Sequence, residues 1–264
     1  MCMIALAWQV DARWPVLLIA NRDEYHARPA LPLAPVDTVA GLLAGTDVSG
    51  GGHWLGVLPD GRFAAVTNAR IGLASARAPA PRSRGALIGW ALQSSDPQSE
   101  APGGPGSYGP YGLLRVDAAG RLHHHSNVFS PAGELSPGLH VLSNGPMNAD
   151  WPKAVRARAA LRNWLEGAAD APDALLVALA DRQLAADSEL PDTGVGLALE
   201  RRLSPLFIDD PVYGTRCSTV LAVAADSTVQ VIERRYDAEG QPLGESRYQA
   251  DGGALATPAA WRRL

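Results

Sequence analysis

The chain carries a cysteine at position 2 and, further on, four consecutive polar residues, Asn21-Arg22-Asp23-Glu24. A thiol attacks an acyl carbon as its thiolate, so it needs a base. If Met1 is removed, the thiol and a free α-amine belong to one residue. Their reference pKa values, about 8.5 and 7.7–8.0, let them exchange a proton near neutrality. A carboxylate nearby would orient the amine. Cys2 also reads as a small apolar residue on a first strand, and Asp23 as a turn residue. With the polar cluster alongside, the two readings stand even.

A hairpin would bring them together. Met3–Trp8 and Val16–Ala20 are apolar runs separated by the polar, proline-containing Asp11–Pro15, the pattern of two strands joined by a turn. With the turn centred near Ala12–Arg13, paired residue numbers sum to about 25, which sets Cys2 beside Asp23. Other polar residues end apolar runs in the same way. His53–Leu58 and Phe63–Thr67 flank a Pro59-Asp60-Gly61 turn, and pairs summing to about 120 bring Asn68 level with Gly50-Gly51-Gly52. Arg70 follows, where a loop charge is commonly solvated. Leu139–Leu142 runs into Ser143-Asn144-Gly145-Pro146. Asn144 is then either a turn former or an amide donor facing the same site as Asn68. Arg216 precedes the apolar strand Val220–Ala224, where a guanidinium could serve as a site charge beside a thiolate or carboxylate. Cys217 is expected to be buried.

His123-His124-His125 fall on the second strand of a hairpin formed by Leu113–Val116 and Arg121–Val128. Alternation puts His123 and His125 on one face and His124 on the other, so they cannot converge on one ligand. They are expected to face solvent mostly, with metal or haem ligation as the competing reading.

Around these lie the positioning elements. Pro29 to Pro35 is Pro-rich and extended, Ala86–Leu92 is helical, and Ser94–Gly112 is a Ser/Pro/Gly loop. Trp151–Glu166 is the clearest helix, with Pro152 in its first turn. A second helix is expected from about Asp173 to Arg182, Ser204–Asp210 at the surface, and Thr257–Leu264 at the periphery. Val229–Arg235 and Ser246–Tyr248 complete a meander. Hairpins, two helices, then more hairpins, without βαβ alternation, argue for layered antiparallel sheets covered by helices.

Of the 264 residues, 47% are hydrophobic and 19% charged, which suits a globular protein. A formal net charge of −4 implies no nucleic-acid or anionic-membrane partner. No apolar run approaches a transmembrane span, and no basic n-region marks a signal peptide. Two cysteines do not make a disulfide scaffold, so a reducing cytoplasm is the default location expected. No phosphate-binding glycine loop, zinc spacing or internal repeat is found, and no cofactor or metal is expected.

Seven motifs occur in order over nearly the whole chain. They are Asn21–Glu24, Arg28-Pro29, the GGxWLG run Gly51–Gly56, Thr67-Asn68-Ala69-Arg70, Ser83-Arg84-Gly85, Ser143-Asn144 with Trp151-Pro152-Lys153, and Tyr213-Gly214-Thr215-Arg216 with Ser218-Thr219-Val220. Together they resemble the NRDE family, the family of the transport and Golgi organisation protein 2. That family in turn resembles the N-terminal-nucleophile hydrolases of the bile salt hydrolase and penicillin V acylase type. The resemblance implies one α+β domain over 1–264, a four-layer αββα sandwich. It implies Cys2 as nucleophile, Asp23 as the carboxylate near its amine, Asn68 and Asn144 around the oxyanion, and Arg216 as a late-sequence arginine. Asn21, Arg22, Glu24, Trp54 and Arg70 are the expected substrate contacts. Those hydrolases carry an arginine where this chain has Ala20, and Arg22 is the nearest cation. The function implied is cleavage of a non-peptide amide or related acyl bond in a small molecule. The alternative is a non-catalytic binding or trafficking protein handling haem or an acyl lipid.

Overall fold

The computed structural model describes residues 2–72, 80–96, 99–129, 133–167, 171–252, 257 and 260–264. Met1, the Cys2 side chain and parts of the expected Ser94–Gly112 loop and Thr257–Leu264 periphery lie outside that description. In chain order the strands are β1 Cys2–Trp8, β2 Val16–Tyr25, β3 Ala30–Pro35, β4 Leu43–Asp47, β5 His53–Val57, β6 Phe63–Asn68, β7 Tyr111–Val116, β8 Leu122–Ser126, β9 Gly133–Glu134, β10 Gly138–Leu142, β11 Tyr213–Val223, β12 Val229–Tyr236, β13 Pro242–Ala250 and β14 Arg262–Arg263. The helices are α1 Ala86–Gln93, α2 Pro152–Glu166, α3 Leu175–Leu179 and α4 Leu197–Arg202.

The strands form two antiparallel seven-stranded sheets, ordered β10-β1-β2-β11-β12-β13-β14 and β3-β4-β5-β6-β7-β8-β9. Strand alternation sorts the side chains into layers. In β1 and β2, Ile4, Leu6, Trp8 and Leu18 pack between the sheets with Leu55, Phe63 and Leu114. Met3, Ala5, Leu17 and Ile19 face the other way, onto Ala157, Leu161 and Trp164 of α2 and Leu176 of α3. On the outer face of the second sheet, Leu87, Ile88 and Ala91 of α1 cover Ala64, Val66 and Leu113. The result is an α+β sandwich with layers αββα, as expected. Each fully buried leucine here contributes about 1.5–3 kcal/mol.

Several local expectations are corrected. The first hairpin closes at Gln9, whose N–H donates to the Pro15 carbonyl at 2.8 Å. That leaves an odd-length loop, Val10–Trp14, so Cys2 pairs with Arg22 rather than Asp23. The Pro29–Pro35 stretch is extended as expected and supplies an edge strand, β3, a position where proline is tolerated. The second helix is shorter than expected: a 3₁₀ turn, Pro172–Ala174, leads into Leu175–Leu179. The segment Ser204–Asp210 is largely interior. Leu206, Phe207 and Ile208 are buried, with Phe207 edge-on to Tyr236 at 4.8 Å and capped by Arg182.

The histidine run is buried, not solvent-facing. Alternation holds: His123 and His125 lie together on the α1 side, while His124 pairs with Leu114 of the inter-sheet core. Both faces of β8 are covered because its sheet is an inner layer of the sandwich. Burial pushes His124 and His125 down to about 4. His123 is bound to the Asp117 carboxylate at 2.9 Å.

Candidate functional site

The polar motifs converge where β2, β5 and β6 end, around a cavity of about 450 Å³. Arg22, Glu24, Trp54 and Asn68 line it, together with the Ser83–Gly85 loop that precedes α1. Cys2 is linked to that lining by strand register. It pairs with Arg22 on one side. On the other, the pairing with β10 ends at Ile4 and Leu142, two residues short of Asn144.

The Asn21–Glu24 tetrapeptide divides by strand parity. Asn21 belongs to the helix side and is fully buried. Its Nδ2 donates to the Leu179 and Leu206 carbonyls at 2.9 and 2.8 Å, and its Oδ1 accepts from Ser218 Oγ at 2.6 Å. Its side chain is therefore committed to fastening α3 and the buried 204–208 segment to the sheet. Arg22 sits between the sheets, its guanidinium 4.5 Å from the Trp54 ring centre. Gly45 is required here, since a Cβ at that position would lie 2.0 Å from the Trp54 ring. Arg22 Nη2 and Arg28 Nε share one oxygen of Asp47, at 3.1 and 2.7 Å. Burial pushes Asp47 up, but the Arg28 hydrogen bond, the Gly50 N–H and both guanidinium charges outweigh it and hold the carboxyl below its ordinary range. Glu24 accepts the Tyr25 N–H and stands 3.8 Å from Arg28.

Asp23 is 1% exposed. Burial pushes its carboxyl above the ordinary value, opposed chiefly by the charge of Lys153 and by a 2.7 Å hydrogen bond from Thr215 Oγ1. Lys153, on the first turn of α2, is itself 2% exposed. Burial thus favours its protonated form more than in an exposed aspartate.

Asn68 and Asn144 are brought together. Asn144 Nδ2 donates to the Asn68 backbone carbonyl at 2.9 Å, and Thr67 Oγ1 donates to the Ser143 carbonyl at 2.7 Å. These bonds tie the ends of β10 and β6 across the two sheets. Arg216 lies inside β11, at a bulge between Thr215 and Cys217, rather than at a strand start. Its Nη1 donates to the carbonyls of Tyr25, His26 and Arg28 at 2.9, 3.1 and 3.1 Å. It clamps the turn that follows β2. Arg70 is not a solvated loop charge: it is buried, paired with Glu200 at 2.8 Å and stacked on Trp151 at 5.0 Å. Cys217 is buried as expected.

Sequence reasoning missed Arg28, Asp47, Arg82, Arg84 and Lys153 as site residues. All five sit in or beside short Gly- or Pro-containing motifs, which was the available signal. Lys153 is a cation at an inward position of an otherwise apolar helical face. The loop carrying Arg84 is held by close backbone contact. A Cβ on Gly52, which has φ +96°, would lie 2.5 Å from the Gly85 carbonyl carbon, and His53 N–H donates to the Gly85 carbonyl at 3.1 Å.

No helix among the described residues is long and apolar enough to cross a membrane. The family model "Transport and Golgi organisation 2" matches residues 1–238. The chain is 30% identical over 250 residues to the Transport and Golgi organization protein 2 homolog of Bos taurus, covering 83% of this chain and 86% of that protein. Over the same span and coverage it is 28% identical to the Homo sapiens homolog and 27% to that of Mus musculus. Motif order, sheet architecture and these matches agree, and the chain belongs to the Transport and Golgi organisation 2 family.

Proposed function

We propose that the chain is a cysteine hydrolase of the N-terminal-nucleophile type that cleaves a non-peptide amide or related acyl bond. The observation that supports this most is the register around Cys2. It pairs with Arg22, which lines the polar cavity, and Asp23 is the next residue along that strand. After removal of Met1, the α-amine takes the thiol proton and the thiolate attacks the carbonyl. The tetrahedral oxyanion is steadied by amide donors at Asn68 and Asn144, each typically worth about 2.7–4 kcal/mol in the transition state. The α-ammonium returns the proton to the leaving amine as the C–N bond breaks. Water then adds to the thioester, and the acid and free thiol are released. Asp23, with Lys153 behind it, orients the α-amine. A reducing cytoplasm would keep the thiol available.

The test is turnover of a panel of N-acyl amides and thioesters by the wild-type chain and by Cys2→Ala. Turnover that vanishes in a folded Cys2→Ala protein supports the reading, and turnover unchanged in that variant removes it. A second reading, non-catalytic binding of haem or an acyl lipid, is favoured by one contact: Asn144 spends an amide N–H on the Asn68 carbonyl. The relatives' names, which speak of transport and Golgi organisation, fit a carrier. Binding of haem or acyl lipid by Cys2→Ala, with no turnover by wild type, would favour it. The buried His123–His125 run is not exposed for ligation.

A further inference from the structure

We propose that the cavity receives an oxyanionic group of its ligand, a carboxylate or a phosphate, between the Arg82–Arg84 loop and the Arg22 guanidinium. This deepens the acyl-site reading by naming the ligand's charge, and rests on it only in taking the cavity to be the ligand site.

Four guanidinium groups line the cavity, those of Arg22, Arg28, Arg82 and Arg84, against three carboxylates. The neutralisation is uneven. A single oxygen of Asp47 serves both Arg22 and Arg28, while its other oxygen accepts the Gly50 N–H at 2.8 Å. Asp23, the most deeply buried of the acids, is bound to Thr215. The Arg22 side chain is only 5% exposed. Its Nη1 is buried with no hydrogen-bond acceptor among the described residues. A buried cationic donor without an acceptor is unfavourable, and an incoming anionic oxygen would satisfy both its hydrogen bond and its charge. On the rim, Arg82 is exposed and has no carboxylate partner among the described residues.

The loop that carries the rim arginines is preformed. Arg82 N–H donates to the Ser107 carbonyl at 2.9 Å, Gly85 N–H donates to Ser83 Oγ at 3.2 Å, and Arg84 Nη1 donates to the Pro110 carbonyl at 3.2 Å. A guanidinium held in place loses less entropy on binding than a free one. The planar fork of arginine suits carboxylate and phosphate oxygens alike.

Binding is measured by calorimetry on the full chain carrying Cys2→Ala, which removes turnover from the readout. The probes are N-octanoylglycine, octyl phosphate and neutral octanamide. At least one anion should bind about tenfold or more tightly than octanamide, and added salt should narrow the gap. N-octanoylglycine alone showing the gain identifies a carboxylate, and octyl phosphate alone a phosphate. Adding Arg82→Ala should weaken the favoured anion about fivefold and leave octanamide unchanged. Arg82 is exposed, so an unaltered thermal midpoint verifies the fold of that variant. Octanamide binding as tightly as both anions, neither anion binding, or anion affinity untouched by Arg82→Ala would each overturn the proposal. Anion preference without turnover by wild type would retain this inference and remove the hydrolase reading. Turnover of neutral amides without anion preference would do the reverse.

Discussion

The four residues Asn21–Glu24 are adjacent in sequence but do different work. Asn21 points to the helix layer, where its amide holds two backbone carbonyls and a serine hydroxyl. Asn21→Ala removes three buried hydrogen bonds at once and should destabilise the chain by about 3–5 kcal/mol. Asn21→Asp should be no better, because it turns a carboxylate toward the Leu179 and Leu206 carbonyls. Urea unfolding midpoints check both. Arg22 and Glu24 line the cavity, so Arg22→Ala should impair ligand binding more than stability. Arg216 acts through the backbone, holding three carbonyls of the turn that ends in Arg28. Arg216→Ala should loosen that turn and weaken ligand binding indirectly. Amide hydrogen exchange at residues 25–28 would rise, and unchanged exchange there would remove the clamp.

At the scale of elements, the site is made by strand ends meeting two glycine-rich loops. Gly52 and Gly85 approach each other more closely than any side chain permits. Gly52→Val should displace the Ser83–Gly85 loop and destabilise the chain by about 2 kcal/mol or more, through both the close contact and the positive φ. A denaturation curve coincident with wild type would contradict this. Much of this layout was legible in the sequence. The hairpin pairing Leu55 with Ala65 is the expected one, because a Pro-Asp-Gly turn fixes its register. The first hairpin is off by one residue because loop length, not composition, decides where the chain turns. The three histidines carry a correct alternation but a wrong burial. Covering of β8 on both faces is a property of four layers, which a local pattern does not contain. The Arg70–Glu200 pair was illegible for the same reason: its partner comes from α4, far along the chain.

At the scale of the molecule, buried titratable groups link the sandwich to pH. His124 and His125 are neutral in the fold, pushed down to about 4 from an ordinary 6.5. The unfolded chain binds more protons between those values. Their contribution is therefore complete above about pH 6.5 and is lost as pH falls toward 4, by at most about 3 kcal/mol each. Asp117, held near 2 where its hydrogen bonds outweigh burial, adds a further loss below its ordinary 3.8. Glu233, pushed up by burial, acts in the opposite sense, its contribution falling as pH rises past its ordinary 4.5. Urea midpoints at pH 7 and pH 5 should differ, and His124→Leu, beside Leu122 in the inter-sheet core, should reduce the difference. An equal difference in that variant would show that His124 does not carry it.

The most direct test of the central claim, that Cys2 is an activated N-terminal nucleophile, is the intact mass of the purified protein before and after a brief pulse of a thiol-directed electrophile at neutral pH. The account predicts loss of Met1 and fast single labelling at Cys2, with buried Cys217 untouched. Retained Met1, or a Cys2 that labels no faster than a free thiol, would contradict it.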